Sequence, residues 1–191
     1  MNTLFIDTHS NIMSIAILKK EKTFELKKEN MRSHSEYAVN TLKKILNDAQ
    51  IELKDIDQII VVNGPGSFTG VRIGVTIAKT IAFSLNIPIK TITSLEAYGV
   101  SDSNPYDIVT IEDSKGKYIA QKEGKQFKKF EYRKESEFKE FIDSNNVVIS
   151  QNRTYDYKKI IEYLSSRENL NPHLVNPIYI KGIDALKWLE N

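Results

Sequence analysis

The 191-residue sequence contains no cysteine. This absence excludes disulfide bonds, thiolate catalysis and cysteine-ligated zinc, and it is typical of proteins of a reducing cytoplasm. An excess of charge of one sign is also lacking, because 27 Lys and Arg residues nearly balance 25 Asp and Glu residues and leave a net charge of +2. The composition as a whole therefore does not indicate nucleic-acid binding and leaves room only for a local basic patch.

Long hydrophobic runs are absent as well. No stretch approaches the ~18 uninterrupted apolar residues that mark a membrane span. The N-terminal segment MNTLFIDTHS has neither the basic region nor the apolar core of a signal peptide. We therefore expect a cytoplasmic protein without a membrane partner. Its hydrophobic content of 40% and charged content of 27% are typical of a globular fold.

Hydrophobic patterning predicts an α/β protein in two parts. The predicted strands are 4–6, 12–18, 23–28, 58–62, 89–92, 107–112, 117–122, 127–132 and 147–150. The predicted helices begin at Ser33 and then cover 67–85, 95–100, 135–143, 156–167 and 184–190. The first helix has an apolar stripe of Ala38, Val39, Leu42, Ile45, Leu46 and Ala49. A polar linker at 101–105 divides the chain into an N-terminal lobe, 1–104, and a smaller C-terminal lobe, 105–191.

The most informative segment is NGPGSFTGVRIG, residues 63–74. Between an apolar strand and an apolar helix it places Gly64, Gly66, Gly70 and Gly74. The Walker A loop is excluded because Val71 follows the third glycine where that loop needs a lysine. The dinucleotide fingerprint is excluded because the spacing is one residue too long. Two interpretations remain open: a tight strand-to-helix turn, and an anion site at a helix N-terminus.

The helix after this segment has an unexpected second face. At 100° per residue, one arc of its side chains is apolar and is expected to pack on a sheet. The opposite arc is not charged, as a solvated face would be. It consists of Ile73, Thr76, Thr80, Phe83 and Ser84, with Arg72 and Lys79 along one border. Either the chain's own second lobe or a partner protein covers this arc. We favour a partner, because residues 105–191 are too few to cover it and build their own core.

Asp7 ends the first predicted strand and stands before three polar residues, Thr8, His9 and Ser10. Its carboxylate either faces a phosphate through a metal ion or accepts backbone N–H groups in an Asx turn. The three histidines, His9, His34 and His173, lack the H-x-x-x-H spacing of a metal-binding helix. No nucleophile–base pair is evident in the linear sequence either. The sequence therefore predicts no catalytic residue and no metal ligand.

The sequence resembles the TsaB (YeaZ) family. The resemblance rests on Asp7-Thr8, on His34 at the start of the first helix and above all on residues 63–74, and the segments Ile87-Pro88, Ser94–Ala97 and Pro177–Ile180 also fit it. It is dense over residues 3–98 and sparse beyond them. It implies the fold of actin, sugar kinases and chaperone ATPases (ASKHA), with a mixed sheet and helices in each of two lobes and a reduced second lobe.

The resemblance also implies a function. TsaB-like chains are non-catalytic subunits of the bacterial machinery that makes threonylcarbamoyladenosine next to the anticodon of tRNA. They pair with a catalytic paralogue, TsaD, and an ATPase, TsaE, supports the complex. The chain would meet tRNA only through that complex. When the chain is alone, the uncovered arc of the helix after the glycine segment predicts a homodimer. The chain would require no cofactor of its own, although the complex could bind ATP or ADP.

Two sets of site residues follow from the resemblance by position. The partner interface would lie on the first helix and on the helix after the glycine segment, at His34, Tyr37, Thr41, Thr69, Arg72, Ile73, Thr76, Thr80 and Phe83. A vestigial nucleotide site would comprise Asp7, Thr8, Ser10, Gly64, Gly66 and Ser67. The chain departs from the family at 111–115, where Ile-Glu-Asp-Ser-Lys stands in place of a frequent Asp-Ala-Arg segment.

Two other functions stay open. The chain could be a standalone phosphotransferase or ATPase of the actin-like superfamily that holds a magnesium nucleotide with Asp7 and the loop 64–70. It could also be a tRNA-binding module that uses the lysine-rich stretch 115–139. The near-zero net charge disfavours the second of these as an autonomous activity.

Overall fold

The computed structural model describes residues 1–29 and 34–181. Its larger sheet has five strands in the order β3-β2-β1-β4-β5. Their bounds are β1 Asn2–Asp7, β2 Met13–Lys19, β3 Lys22–Lys28, β4 Gln58–Val62 and β5 Ile89–Ile92. The first three strands pair antiparallel, whereas β4 and β5 run parallel to β1. The central strands are continuous apolar runs, as expected for strands that are buried on both faces.

Helices cover both faces of this sheet. On one face lie α1 (His34–Asp48) and α2 (Phe68–Leu85), which bury Leu4, Ile6 and Val61. On the other face lie α3 (Ser94–Ser101) and a later helix at Tyr157–Leu164, which bury Phe5 and Ile60. The odd and even residues of β1 therefore enter two different cores.

A smaller antiparallel sheet follows, with β6 Ile108–Asp113, β7 Gly116–Glu123 and β8 Gln126–Lys134. The helix α4 (Glu135–Asn145) packs Phe138 against Ile108 and Ile119 on one face. The opposite face packs against α3 through Leu95 and Val109. Because Ala97 belongs to the core of the first sheet, α3 lies between the two sheets and joins their cores. The predicted α/β class with two sheet-containing lobes is confirmed, with the difference that the three strands of the second sheet pair antiparallel and do not form a mixed sheet.

The C-terminal third of the chain returns to the first sheet. The helix at Tyr157–Leu164, α5, packs there, and the backbone N–H of Leu170 donates to the carbonyl oxygen of Ile89 at 2.9 Å. A short 3-10 helix at Pro172–Leu174 lies beside α2. The predicted boundary after residue 104 falls between the two sheets, but Tyr157, Ile160, Leu164 and Val175 belong to the cores of the first one.

Side-chain caps and a left-handed residue mark the limits of α2 and α3. The Ser67 hydroxyl caps α2 by accepting from the Gly70 N–H, and Asn86 ends this helix in the left-handed conformation. At the start of α3, Thr93 and Glu96 form a reciprocal capping box. The predicted start of the first helix, at Ser33, and the predicted last helix, 184–190, lie outside the described residues.

Three details of the predicted elements are wrong. The expected strand 147–150 is a single parallel bridge between Ile149 and Ile108, because its backbone hydrogen bonds to the small sheet reach only Asp107 and Ile108. The helix expected at 156–167 ends at Leu164. Val39 was placed in the buried stripe of α1 but is 52% exposed, since Ala38 rather than Val39 turns toward the sheet.

One helix among the described residues, α2, has the length and apolar composition of a membrane span. Its buried residues are Gly70, Val71, Gly74, Val75, Ala78, Ile81 and Ala82. They face the first sheet and belong to its core. The apolar composition of α2 is therefore accounted for in part by packing within the fold.

We predict that Ile160→Ala lowers the free energy of unfolding by about 2–5 kcal/mol, the usual cost of truncating a buried isoleucine. Ile160 is 1% exposed and lies in the core of the first sheet. Urea unfolding measures the change, and Lys158→Ala on the exposed side of α5 is the matched control. A loss of less than 1 kcal/mol for Ile160→Ala would contradict the packing of α5 on this sheet.

Candidate functional site

The glycine segment packs against the turn between β1 and β2. A Cβ atom on Gly66 would overlap the carbonyl oxygen of His9, and one on Gly70 would overlap that of Thr8. The Ser67 N–H donates to the His9 carbonyl oxygen at 2.6 Å. These glycines therefore allow a close approach of helix and turn. Of the two open interpretations, this geometry accounts for the glycines as a tight strand-to-helix turn.

The Thr8 side chain fixes the first two turns of α2. Its hydroxyl donates to the Gly70 carbonyl oxygen at 2.6 Å and accepts from the Gly74 N–H at 3.1 Å. A Cβ atom on Gly74 would overlap this hydroxyl. Thr8 is fully buried, so both hydrogen-bonding functions of its hydroxyl serve the helix.

Asp7 forms the predicted Asx turn. Its Oδ1 accepts from the His9 N–H at 2.9 Å and lies 2.8 Å from the His9 Nδ1, and its Oδ2 accepts from the Tyr155 hydroxyl at 2.7 Å. Burial opposes ionisation of this carboxyl, but the charge and hydrogen bonds of His9, with the Tyr155 hydrogen bond, outweigh it and lower the pKa of Asp7. Both carboxylate oxygens therefore have partners within the protein.

A cleft of about 710 Å³ lies between this turn, the start of α2 and the β6–β7 turn. Three members of the predicted nucleotide set line it: Ser10, Gly66 and Ser67. The other three, Asp7, Thr8 and Gly64, are buried and are not in its lining. The second lobe contributes the carboxylates of Glu112 and Asp113, paired with Lys117 and Lys181 at 2.7 and 2.9 Å. Among the described residues no group of three His, Asp or Glu side chains is arranged to hold a metal ion.

The predicted partner residues separate into two groups. Exposed on α1 and α2 are Tyr37, Thr69, Arg72, Thr76, Thr80 and Phe83, and Ile73 is half-buried. Thr41 differs from the expectation, because it is 2% exposed and faces the interior of the fold. The backbone of His34 begins α1, but its side chain lies outside the described residues.

Two residues of the C-terminal segment, His173 and Tyr179, lie beside the exposed side of α2. The sequence did not indicate this position for either of them. The Arg72 Nε donates to the Tyr179 hydroxyl at 2.8 Å, and the Arg72 guanidinium lies 3.8 Å from the centre of the Phe68 ring. Further along, the His173 ring packs edge-on against Phe83 with centroids 4.8 Å apart. We define the α2 face as the exposed side chains of this helix together with His173 and Tyr179.

Comparison with known proteins identifies the family. The family model described as TsaD, tRNA N6-adenosine threonylcarbamoyltransferase, matches residues 26–176. The tRNA threonylcarbamoyladenosine biosynthesis protein TsaB of Bacillus subtilis is 43% identical over 97 residues, which are 50% of this chain and 42% of that protein. The chain belongs to the TsaB (YeaZ) branch of this family.

A second curated relative and a solved structure are also similar to this TsaB-family chain. TsaB of Haemophilus influenzae is 31% identical over 97 residues, which cover 51% of the chain and 41% of the relative. The solved structure of YeaZ from Pseudomonas aeruginosa superposes with a TM-score of 0.75 at 17% identity, over 93% of this chain and 99% of YeaZ. The two-lobed ASKHA fold that was expected is thereby confirmed. In sequence, the chain matches less than half the length of these curated relatives.

We predict that Gly70→Ala destabilises this TsaB-family chain by about 1–3 kcal/mol, because the added methyl group would overlap the Thr8 carbonyl oxygen and force a backbone shift. Thr69→Ala, an exposed neighbour in the same helical turn, is the control and should change stability by less than about 0.5 kcal/mol. Thermal and urea unfolding measure both. Equal stabilities of the two variants would contradict the close contact.

A second prediction follows from the lowered pKa of Asp7. When the pKa of a carboxyl group is lower in the folded than in the unfolded chain, the ionised group stabilises the fold at pH values above the unfolded-state pKa. This stabilisation is lost as the pH falls through the folded-state pKa. The ordinary pKa of an aspartate carboxyl group is 3.8. Asp7→Asn should therefore be less stable than the unsubstituted chain at about pH 7, and the difference should shrink below about pH 4.

Urea unfolding at a series of pH values tests this expectation. Asp48→Asn, on the exposed side of α1, is the control and should cost less than about 0.5 kcal/mol at about pH 7. A difference between Asp7→Asn and the unsubstituted chain that stays constant from neutral pH to below pH 4 would disprove the stabilising role of the ionised carboxylate.

Proposed function

We propose that this chain is a non-catalytic subunit that binds and positions a catalytic paralogue of the TsaD type, in the threonylcarbamoylation of the adenosine next to the anticodon of tRNA. Curated relatives at 31–43% identity carry the name tRNA threonylcarbamoyladenosine biosynthesis protein TsaB. A tRNA N6-adenosine threonylcarbamoyltransferase of Tropheryma whipplei is 40% identical over 70 residues, which cover 37% of this chain and 18% of that protein. The chain is thus similar in sequence both to TsaB proteins and to a threonylcarbamoyltransferase, the two components of such a pair.

The α2 face is the observation that carries this proposal. Phe83 is 62% exposed and Phe68 is 40% exposed, on one long helix whose other exposed side chains are Thr69, Arg72, Thr76, Thr80 and Ser84. Large exposed hydrophobic side chains grouped on one surface are typical of protein–protein contact sites. A TsaD-type paralogue is the occupant that the family relationship favours.

The side chains of this face are already ordered by their neighbours. Arg72 is fixed between Phe68 and Tyr179, and the Lys79 Nζ donates to the His173 carbonyl oxygen at 3.2 Å. Thr80 donates to the Thr76 carbonyl oxygen one helical turn earlier, at 2.9 Å. Association would therefore cost little additional side-chain entropy, which favours binding through preorganisation.

The arrangement at the β1–β2 turn supports an accessory rather than a catalytic role. A nucleotide enzyme of this fold would need a carboxylate free to reach a metal ion and hydroxyl groups free to reach phosphate. Here Asp7 is bonded to His9 and Tyr155, and Thr8 is bonded to α2. We therefore propose that this subunit performs no chemistry and requires no cofactor of its own.

The remaining assignments belong to the same proposal. The subunit acts in the cytoplasm, reaches tRNA through the complex and works beside an ATPase of the TsaE type, with ATP or ADP bound by the complex. When the paralogue is absent, the α2 face of one copy covers that of another and the chain forms a homodimer.

We predict that Phe83→Lys weakens heterodimer formation about ten- to a hundredfold, because a buried phenylalanine contributes roughly 1.5–3 kcal/mol. The same substitution should make the isolated chain monomeric. Val148→Lys is the matched control, since Val148 is 55% exposed and lies outside the α2 face. Light scattering after size exclusion, with and without the paralogue, measures both states.

Unchanged pairing of Phe83→Lys with the paralogue would refute the docking role of the α2 face. Equal weakening by Val148→Lys would show that the loss comes from added charge rather than from this surface. Circular dichroism of each variant verifies that the monomer is folded.

A further inference from the structure

A second cleft lies between α5, the end of α3 and the β7–β8 turn, with a volume of about 670 Å³. It shares no residue with the cleft beside α2 or with the α2 face. Its size falls within the range of about 300–1,000 Å³ found for small-molecule sites. Nothing in the proposed pairing with a paralogue uses it.

The lining of this cleft carries an excess of positive charge. Its cationic members are Lys122, Lys125, Lys159 and Arg167. Two of its carboxylates are already committed: Glu96 to Arg167 at 2.5 Å and Asp102 to the Ser150 hydroxyl at 2.6 Å. Burial opposes ionisation of Glu96, but the Arg167 and Thr93 hydrogen bonds outweigh it and lower its pKa. The charges of Glu96 and Arg167 therefore neutralise each other.

Among the described residues, Lys122 and Lys125 have no carboxylate partner, whereas Lys159 has a distant one in Asp156. The Lys122 Nζ lies 4.1 Å from the centre of the Tyr106 ring, and the Lys159 Nζ donates to the Ser103 hydroxyl and is 4.0 Å from Asp156. Lys125 is exposed and has no ion pair or hydrogen bond among residues 1–29 and 34–181. Among the same described residues, Glu162 is the only carboxylate in the lining of the cleft that has no hydrogen bond or ion pair. Once Glu96 and Arg167 are set aside as a pair, three ammonium groups face the carboxylates of Asp102 and Glu162, so one positive charge is in excess.

The inner surface of the cleft is aromatic. Phe127 and Tyr106 are 8% and 7% exposed, and the rings of Phe127 and Tyr163 meet edge-on with centroids 6.2 Å apart. A side chain on Gly99 would overlap the Phe127 ring, so this glycine leaves room for it. Burial, together with the charge of Asp102, raises the pKa of Tyr106 to about 12. The ring therefore stays neutral beneath Lys122.

Cations above an aromatic surface are the arrangement with which proteins bind a phosphate and the base attached to it. We propose that this cleft binds a nucleotide, with its phosphate on Lys122 and Lys125 and its base toward Phe127 and Tyr163. The nucleotide is either free or part of a single-stranded RNA. Gln126 and Glu162 supply hydrogen-bonding groups at the rim. The proposal does not depend on pairing with a paralogue, because every residue belongs to this chain.

Two probes distinguish the two sources of the nucleotide. AMP is titrated by calorimetry, and a labelled eight-nucleotide oligoadenylate is titrated by fluorescence anisotropy at about 50 and 200 mM salt. Lys122→Gln/Lys125→Gln should weaken binding at least tenfold. It should also reduce the salt slope for the oligonucleotide by about 1.4, since each phosphate contact on a single strand contributes about 0.7.

Lys128→Gln/Lys129→Gln is the matched control, because it removes the same charge from exposed positions of β8 outside the cleft. It should change affinity less than threefold. Glu162→Gln removes the unpaired carboxylate and should strengthen binding about twofold, an effect opposite in sign that loss of folding would not produce.

Binding of AMP assigns the cleft to free nucleotides, and binding of the oligonucleotide alone assigns it to RNA. Three results would overturn the proposal: neither probe binds at millimolar concentration, the two lysine double variants weaken binding equally, or an eight-residue polyglutamate binds as well as the oligonucleotide.

Discussion

The seating of the β1–β2 turn on the first two turns of α2 is the contact on which the rest of the molecule depends. The Thr8 hydroxyl joins Gly70 to Gly74, and the absence of side chains at both positions lets the helix approach the turn at backbone distance. This contact sets the rotation of α2 about its axis. Val71, Val75 and Ala78 consequently enter the core, while the threonines and Phe83 remain outside.

The same contact gives a structural role to residues that could otherwise bind a phosphate group. In an enzyme of this architecture, an aspartate at the end of the first strand and hydroxyl groups beside it would be kept free for a metal ion and a nucleotide. In this chain the hydrogen bonds of Asp7 tie the turn to Tyr155, from the segment that returns to the first sheet. These hydrogen bonds hold the turn in place against α2 and the returning segment.

That surface is composed of parts that are distant along the chain. Helix α2 supplies its centre, while His173 and Tyr179 supply its border through Phe83 and Arg72. The α3 helix between the two sheets and the return of residues 155–179 hold these parts in one body. An exposed face formed in this way is ordered in the isolated chain, which would lower the entropic cost of the proposed association.

The sequence by itself determined most of the secondary structure and the limits of its helices. The apolar runs of the strands, the Ser67 and Thr93 caps and the left-handed Asn86 are local, and local energies decide them. The glycine spacing likewise excluded the familiar phosphate loops before any fold was known.

Only the tertiary structure decided which residues are buried and which residues meet. It placed Val39 outside and Thr41 inside, although both lie on the same helix. It also paired Arg72 with Tyr179, which is 107 residues further along the chain, and gathered the lysines and aromatic rings of the second cleft from β7, β8, α5 and the loops beside them. Periodicity reports that a helix has an apolar side, but what covers each side depends on contacts between distant segments, and no local pattern encodes those.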